Sequence, residues 1–393
     1  MQVLVWQWGR RGGAPRFAAS LAAGARRLPG VTAALSLARQ AEILAAPDAP
    51  DCALPVATYD GGFGLLARLL CFPWLRRTLQ ARLVALAPDV AICALPGPLD
   101  LVMLAALHRL HVPVAVVIHD ADAHPGDGFP LLMAFQRALA RRADLLVALS
   151  GHVARRLVDQ GLASAPQPGA SGQTGAAGRK GGRPLLVARH PPFQYGVTTP
   201  AVPHDGPARL LCFGRLLPYK GLDLLDAALA RLGPRADYVL RIVGSGPDSP
   251  ELAALAARPG VTVENRWVGE AEMPALIAWA DLLVLPYREA SQSGVAATAL
   301  AARRRVISTR VGGLIEQLSH EPLATLCEPD AESLAATLAA WLDDPPPPAA
   351  EEGSSADAAW RDFAEAILLA LARTAPGHAS AKSPLAKTGA AQP

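Results

Sequence analysis

The sequence predicts an α/β protein with parallel sheets and room for two domains. Short apolar runs of strand length alternate with helical stretches, the pattern of repeated βαβ units. Glycine-rich turns follow several of these runs, which gathers the loops on one sheet edge, where ligands of such sheets bind. The 393 residues suffice for two ordinary domains with a large core.

In chain order, residues 1–8 (Met-Gln-Val-Leu-Val-Trp-Gln-Trp) read as a first strand running into a turn with Gly12, Gly13 and Arg16. A helix rich in Ala and Leu follows, roughly Ala18 to Arg27. Phe63 to Val84 mixes apolar residues with four arginines and a tryptophan, the composition of a helix lying at a membrane surface or of a buried helix with a basic outer face. Further strands are expected at Asp89–Cys93, Pro113–Ile118, Ala143–Ser150 and Leu185–Ala188. The third of these five strands leads into His119, Asp120 and the loop His124-Pro125-Gly126-Asp127. Residues 163–183 are low in complexity and read as a flexible loop, and the interdomain linker falls near Tyr195–Gly206.

The second half begins with the strand Leu211-Cys212-Phe213, which turns at Gly214. Arg215 and Lys220 flank a proline turn before a helix that starts at Leu222. Two cations on a strand-to-helix turn can hold a diphosphate, with the helix N-terminus adding a favourable dipole. A strand at 237–243 ends in Gly244-Ser245-Gly246, and strands follow at 261–263, 280–285 and 305–309. The loop after 280–285 carries Glu289, Ser293 and Gly294, and the last two can offer backbone N–H groups to phosphates. Pro345–Pro348 and Glu351–Ser355 break the chain before an amphipathic helix over 356–373, and residues 375–393 read as a disordered tail.

The net charge of +3 and an aromatic content of 5% do not suggest a nucleic-acid partner. Five scattered cysteines without metal-ligand spacing read as thiols of a reducing compartment. The first residues read as a strand rather than a signal peptide, and no apolar stretch reaches spanning length, so the expectation is a cytoplasmic protein.

Gly214/Arg215/Lys220/Gly221, Gly244/Gly246/Pro247, Asp281/Pro286/Glu289 and Gly312/Gly313/Glu316 occur in that order, and this series resembles the C-terminal domain of GT-B glycosyltransferases of retaining family 4. The resemblance implies two Rossmann-like domains facing across a cleft. Residues 1–200 would form the acceptor domain, 206–345 the nucleotide-sugar-binding domain, and the helix at 356–373 would cross back to the first. It implies Arg215 and Lys220 as ligands of the donor diphosphate, with Ser293 and Gly294 beside them. Glu289 is implied beside the donor sugar, one position upstream of the family's spacing, and His119 as a residue near the reacting centre. Gly244 and Gly246 would meet the nucleotide. The family's second glutamate is absent; Thr298 stands near its place and takes the nucleotide role. Gly12, Gly13, Arg16 and Asp120 are implied at the acceptor or cleft. Arg303-Arg304-Arg305 replaces a stretch in which relatives usually carry Gly and Pro.

The implied activity is transfer of a sugar from a nucleotide-sugar to a glycan or polyprenyl-linked acceptor, in exopolysaccharide or cell-envelope synthesis, without a cofactor or metal. Peripheral contact with the inner membrane through 63–84 is compatible with such an acceptor. The alternatives are a degenerate GT-B binding module in a glycan assembly complex and a sugar-nucleotide epimerase.

Overall fold

The computed structural model describes residues 1–46, 48–126, 130–165, 182–193, 195, 201, 204–347 and 356–374. Most of the expected loop at 163–183, most of the expected linker, Asp127 and the tail at 375–393 lie outside the described residues. The chain divides into two compact units. The first takes residues 1–122, 129–191 and the C-terminal stretch from 357; the second takes 123–128 and 192–356.

Unit 1 holds strands β1 (Gln2–Gln7), β2 (Thr32–Leu37), β3 (Val90–Cys93), β4 (Val114–Ile118), β5 (Leu145–Ala148) and β6 (Leu185–Val187). They form one parallel sheet in the order β2-β1-β3-β4-β5-β6. Its helices are α1 (Gly13–Arg26), α2 (Gly61–Leu70), α3 (Phe72–Leu86), α4 (Asp100–Arg109), α5 (Pro130–Ala140) and α6 (Gly151–Asp159). Val3 to Trp6 and Val114 to Ile118 are wholly buried, as expected of strands covered by helices on both faces.

Unit 2 repeats the plan. Strands β7 (Ala208–Arg215), β8 (Tyr238–Ser245), β9 (Val261–Asn265), β10 (Leu282–Leu285), β11 (Arg305–Thr309) and β12 (Ala324–Cys327) form a parallel sheet ordered β12-β11-β10-β7-β8-β9. Helices α7 (Leu222–Leu232), α8 (Pro250–Ala256), α9 (Met273–Trp279), α10 (Gly294–Ala301), α11 (Gly312–Leu318) and α12 (Ala331–Asp343) flank it.

The last helix, α13 (Ala356–Thr374), packs into unit 1. Trp360 and Phe363 meet the edge of Phe17 with ring centroids at 4.9 and 5.8 Å. Gly24 of α1 lies so close to α13 that a Cβ there would sit 2.4 Å from the Trp360 carbonyl oxygen.

Two features differ from the sequence reading. The stretch 63–84 is not one helix: α2 ends at Leu70 and α3 begins at Phe72, with Pro73 in its first turn, where a missing N–H costs nothing. Strands β2 and β12 are additional, and both are sheet edges.

The arginine run acquires a structural role. Arg304 is buried, and its guanidinium donates to the carbonyls of Ile277, Ala278 and Ala302 at 3.1, 3.3 and 3.0 Å. It closes the ends of α9 and α10, where carbonyls lack helical donors. Arg303 has a left-handed backbone, φ 57°, a conformation that favours glycine.

Candidate functional site

In a doubly wound sheet, ligands sit at the carboxyl ends of the strands where the winding reverses direction. In unit 2 this point lies between β7 and β10. The turn at Gly214 and Arg215 leaves β7 there, and the loop from Pro286 to Ser293 leaves β10.

The two cations are anchored on tyrosines. Tyr219 is buried, and its hydroxyl oxygen accepts from Arg215 Nη2 at 2.9 Å. Lys220 Nζ lies 3.7 Å from the centroid of the buried Tyr287 ring and 5.1 Å from that of Tyr219. Aromatic faces attract ammonium groups. Burial pushes the Tyr287 hydroxyl well above its usual range, so it stays neutral beside Lys220.

The β10 loop meets this pair. Tyr287 Oη is 3.5 Å from Ser293 Oγ. Ser293 caps α10, accepting from the Ala296 N–H at 3.2 Å. The Gln317 side chain fixes the Ser293 backbone from both sides, accepting from its N–H and donating to its carbonyl, each at 2.9 Å. The Ser293 N–H, expected to meet a phosphate, is thus already taken, and Gly294 and Val295 present the first N–H groups of α10, which have no acceptor inside the helix.

Glu289 joins through His124, which belongs to the second unit. His124 Nδ1 is 3.0 Å from Glu289 Oε1, and the imidazole stacks on Tyr219 at 4.5 Å and 17°. The structure thus gathers Arg215, Lys220, Glu289, Ser293 and Gly294 around Tyr219 and Tyr287.

Glycines bring the backbones together beneath them. Gly221 has φ 68°, and a Cβ there would lie 1.8 Å from the Pro286 carbonyl oxygen. Gly244 and Gly246 sit where β8 passes close to β7; a Cβ would meet the Gly214 and Leu216 carbonyl oxygens at 1.7 and 2.1 Å. The Asn265 side chain bonds both polar backbone groups of Gly246. Thr298 differs from its expected role: it is buried in α10 with 3% exposure, so its hydroxyl is covered rather than presented to a ligand.

In unit 1 the corresponding reversal lies between β1 and β3. Gly12 (φ 79°) precedes α1, whose first turn carries Gly13 and Arg16. His119 also departs from expectation. It is buried at 9% exposure rather than open at the loop edge. Its Nε2 donates to the Ala94 carbonyl at 2.9 Å, which fixes the tautomer and leaves Nδ1 an acceptor. Burial lowers its pKa, so the ring is neutral. It packs against Phe17 at 4.7 Å and His190 at 6.0 Å, and burial also drives His190 down to about 3. Asp120 follows it, half-buried, its backbone carbonyl held by Gln136.

Sequence reasoning gave no role to Tyr219, Tyr287, Gln317 or Asn265, and placed His124 only in a loop. An aromatic residue after an apolar run reads as core, and His124 stands 165 positions from its partner.

Residues 207–344 match the family described as Glycosyl transferases group 1, and residues 11–167 match Glycosyltransferase Family 4. Glycogen synthase of Mycobacterium tuberculosis is 36% identical over 148 residues, 36% of each chain. The GDP-mannose-dependent alpha-(1-6)-phosphatidylinositol monomannoside mannosyltransferase of Mycolicibacterium smegmatis is 31% identical over 157 residues, 35% of this chain and 39% of that one. The chain spans little more than a third of the length of these curated relatives. Among solved structures, Anabaena HepE in complex with UDP and glucose aligns with a TM-score of 0.64 at 18% identity, covering 97% of this chain and 100% of that one. That likeness concerns the fold. Two matched families, one in each half, and a GT-B architecture converge: the chain belongs to the group 1 glycosyltransferases of GT-B fold.

Proposed function

We propose that the protein is a retaining glycosyltransferase that moves a sugar from a nucleotide-sugar donor to a lipid-linked or polysaccharide acceptor in bacterial exopolysaccharide or cell-envelope synthesis. The observation that carries this reading is the convergence of Arg215, Lys220, Glu289 and the α10 N-terminus at the β7/β10 reversal. HepE, the structural neighbour with bound UDP and glucose, supports a nucleotide-sugar as donor.

In the proposed reaction the bond from the anomeric carbon to the diphosphate breaks and its electron pair leaves with the nucleoside diphosphate, while an acceptor hydroxyl oxygen bonds the same carbon on the same face and gives its proton to the departing phosphate oxygen. Arg215 supplies a fixed fork and Lys220 a point charge to the departing oxygens. The N–H groups of Gly294 and Val295 add uncharged donors in the same direction. All are held before reaction, so little reorganisation opposes the charge as it develops. Glu289 stands beside the donor sugar. Side-chain cations fill the part a metal takes elsewhere, and chelators are expected to leave the rate unchanged. We place the reaction at the cytoplasmic face of the inner membrane, with α2 and α3 as the peripheral contact. Among the described residues, no helix is long and apolar enough to cross a membrane.

The test is thermal stabilisation by a panel of UDP-, GDP- and ADP-sugars, since a ligand that binds the folded state raises the melting temperature. A shift with one nucleotide, lost in Lys220→Ala, supports the reading and names the donor class. A folded protein that responds to none of them favours the degenerate binding module instead.

A further inference from the structure

A cavity lies wholly within unit 1. It encloses about 180 Å³ between the end of β1, the segment after β2, and helices α2, α3 and α4. Its apolar walls include Trp8, Trp74, Leu75 and Leu79. Arg39, Arg68 and Arg82 also line it.

The arginines are set by backbone carbonyls. The segment Pro55–Thr58 lies along the end of β2: Val56 donates to Leu37 and accepts from the Arg39 N–H, at 2.9 and 2.8 Å. Arg68 Nε donates to the Thr58 carbonyl at 3.0 Å and Arg82 Nη1 to the Pro55 carbonyl at 3.2 Å. These bonds fix the Arg68 and Arg82 guanidiniums while neutralising none of their charge, and Arg39 is placed through its backbone. Among the described residues, none of the three pairs with a carboxylate, and residues 61–88 contain no Asp or Glu. Three uncompensated cations on an apolar cavity favour a phosphate-sized anion attached to hydrocarbon.

The hydrocarbon has a place to continue. Around the α2–α3 junction Leu70 is 76% and Trp74 63% exposed, and Trp74 also lines the cavity. Phe63, two turns before Leu70 on the same face of α2, is 91% exposed. Large apolar side chains grouped this way mark a surface that meets another apolar surface. Basic residues beside them suit an anionic lipid layer.

We propose that this cavity binds the phosphate end of a prenyl-type anionic lipid, with the phosphate on Arg39, Arg68 and Arg82 and the chain leaving along Trp74 and Leu70. The proposal rests on the lipid-acceptor branch of the function proposed above and gives it a location.

The experiment is isothermal titration of the full chain with farnesyl phosphate, farnesol and inorganic phosphate, run beside the nucleotide-sugar melting panel. Farnesyl phosphate is expected to bind at least about 10-fold tighter than either fragment, because both halves of the site are engaged. Thr78 is exposed and lines the cavity, so Thr78→Trp fills it without disturbing the core. That variant and the double variant Arg68→Gln/Arg82→Gln should each weaken farnesyl phosphate by about 10-fold or more. Both should keep the donor-induced melting shift. Three results overturn the proposal: unchanged affinity in Thr78→Trp, equal binding of farnesol and farnesyl phosphate, or no binding by a protein that still responds to its donor. Loss of the donor response alone removes the transferase reading and leaves the cavity assignment standing.

Discussion

His124 holds Glu289. One imidazole nitrogen lies 3.0 Å from the carboxylate while the flat of the ring rests on Tyr219, whose hydroxyl receives Arg215. A single side chain thus links the carboxylate to the cation that would face the donor diphosphate. His124 is nearly covered, at 10% side-chain exposure, whereas Glu289 stays half open at 49%.

His124→Phe keeps the stack on Tyr219 and deletes the hydrogen bond. The expected result is a fall in kcat of about 10-fold, equivalent to about 1.4 kcal/mol, with an unchanged donor-induced melting shift. Steady-state kinetics with the donor identified by the melting panel measures it; a wild-type kcat would show that Glu289 needs no positioning by this ring.

Lys220→Ala and Glu289→Ala should each reduce transfer by at least about 100-fold without unfolding the protein, because each removes a charge aimed at the reacting groups. Initial rates paired with circular dichroism make the comparison. Two well-folded variants with wild-type rates would remove the site assignment.

Arg304→Ala removes a donor from three carbonyls at the ends of α9 and α10, of which Ile277 keeps its bond from the Ala280 N–H at 3.2 Å. A loss of roughly 2–4 kcal/mol is expected, since bonds from a charged donor are strong and the orphaned groups are buried. Urea denaturation at neutral pH gives the value. A loss below about 1 kcal/mol would mean that water replaces the guanidinium.

Ala87 ends α3 in a left-handed conformation, φ 47°, with its N–H on the Leu83 carbonyl. It is exposed, so little besides the backbone depends on its methyl. Ala87→Gly should stabilise the protein by about 0.5–1 kcal/mol, the usual gain from glycine in this cap. A lower melting temperature would contradict this.

Two groups of unit 1, the buried Asp100 and the half-buried His190, push the pH dependence in opposite directions. Asp100 accepts from Trp6 Nε1 at 3.1 Å and the Gly97 N–H at 2.6 Å, and burial raises it from 3.8 to about 7. Between those values the native state holds the extra proton, so this group lowers stability as pH rises from about 4 to 7. His190, lowered by burial from 6.5 to about 3, does the reverse: the unfolded chain holds the extra proton there, and stability falls as pH drops through that window. The two partly cancel in wild type. Asp100→Asn should expose the histidine effect as a steeper acid-side loss, and His190→Phe should flatten it. Urea melts at half-unit steps from pH 4 to 8 test this; parallel curves in both variants would refute it.

The parallel sheets were legible because strands buried on both faces are written as unbroken apolar runs, such as Val114 to Ile118 and Leu282 to Leu285. Strand β2, Thr-Ala-Ala-Leu-Ser-Leu, and the four-residue β12 carry little of that signal, and both are edges. The α2–α3 junction stayed hidden because Leu69 to Leu75 is apolar throughout apart from its proline, and a proline in a first turn looks the same as one inside a helix until the turn is seen. At the candidate site, Arg215, Lys220 and Glu289 stood out as charges beside glycine turns. Tyr219 and Tyr287 did not, since nothing in the order of residues distinguishes a ring that supports a lysine from one that fills a core. Gln317 lies 24 residues from Ser293, and only the return of the chain through β11 brings the two together.

The docking of α13 on Phe17 and Gly24 carries a consequence for how the molecule is made. Synthesis proceeds from the N-terminus, so the first sheet emerges long before the helix that covers one side of α1. Until residues 356–374 leave the ribosome, Phe17 lacks its Trp360 and Phe363 neighbours. A nascent chain stalled anywhere in the second half would hold an apolar surface open to chaperones, and a nonsense codon before α13 would damage the beginning of the protein rather than its end.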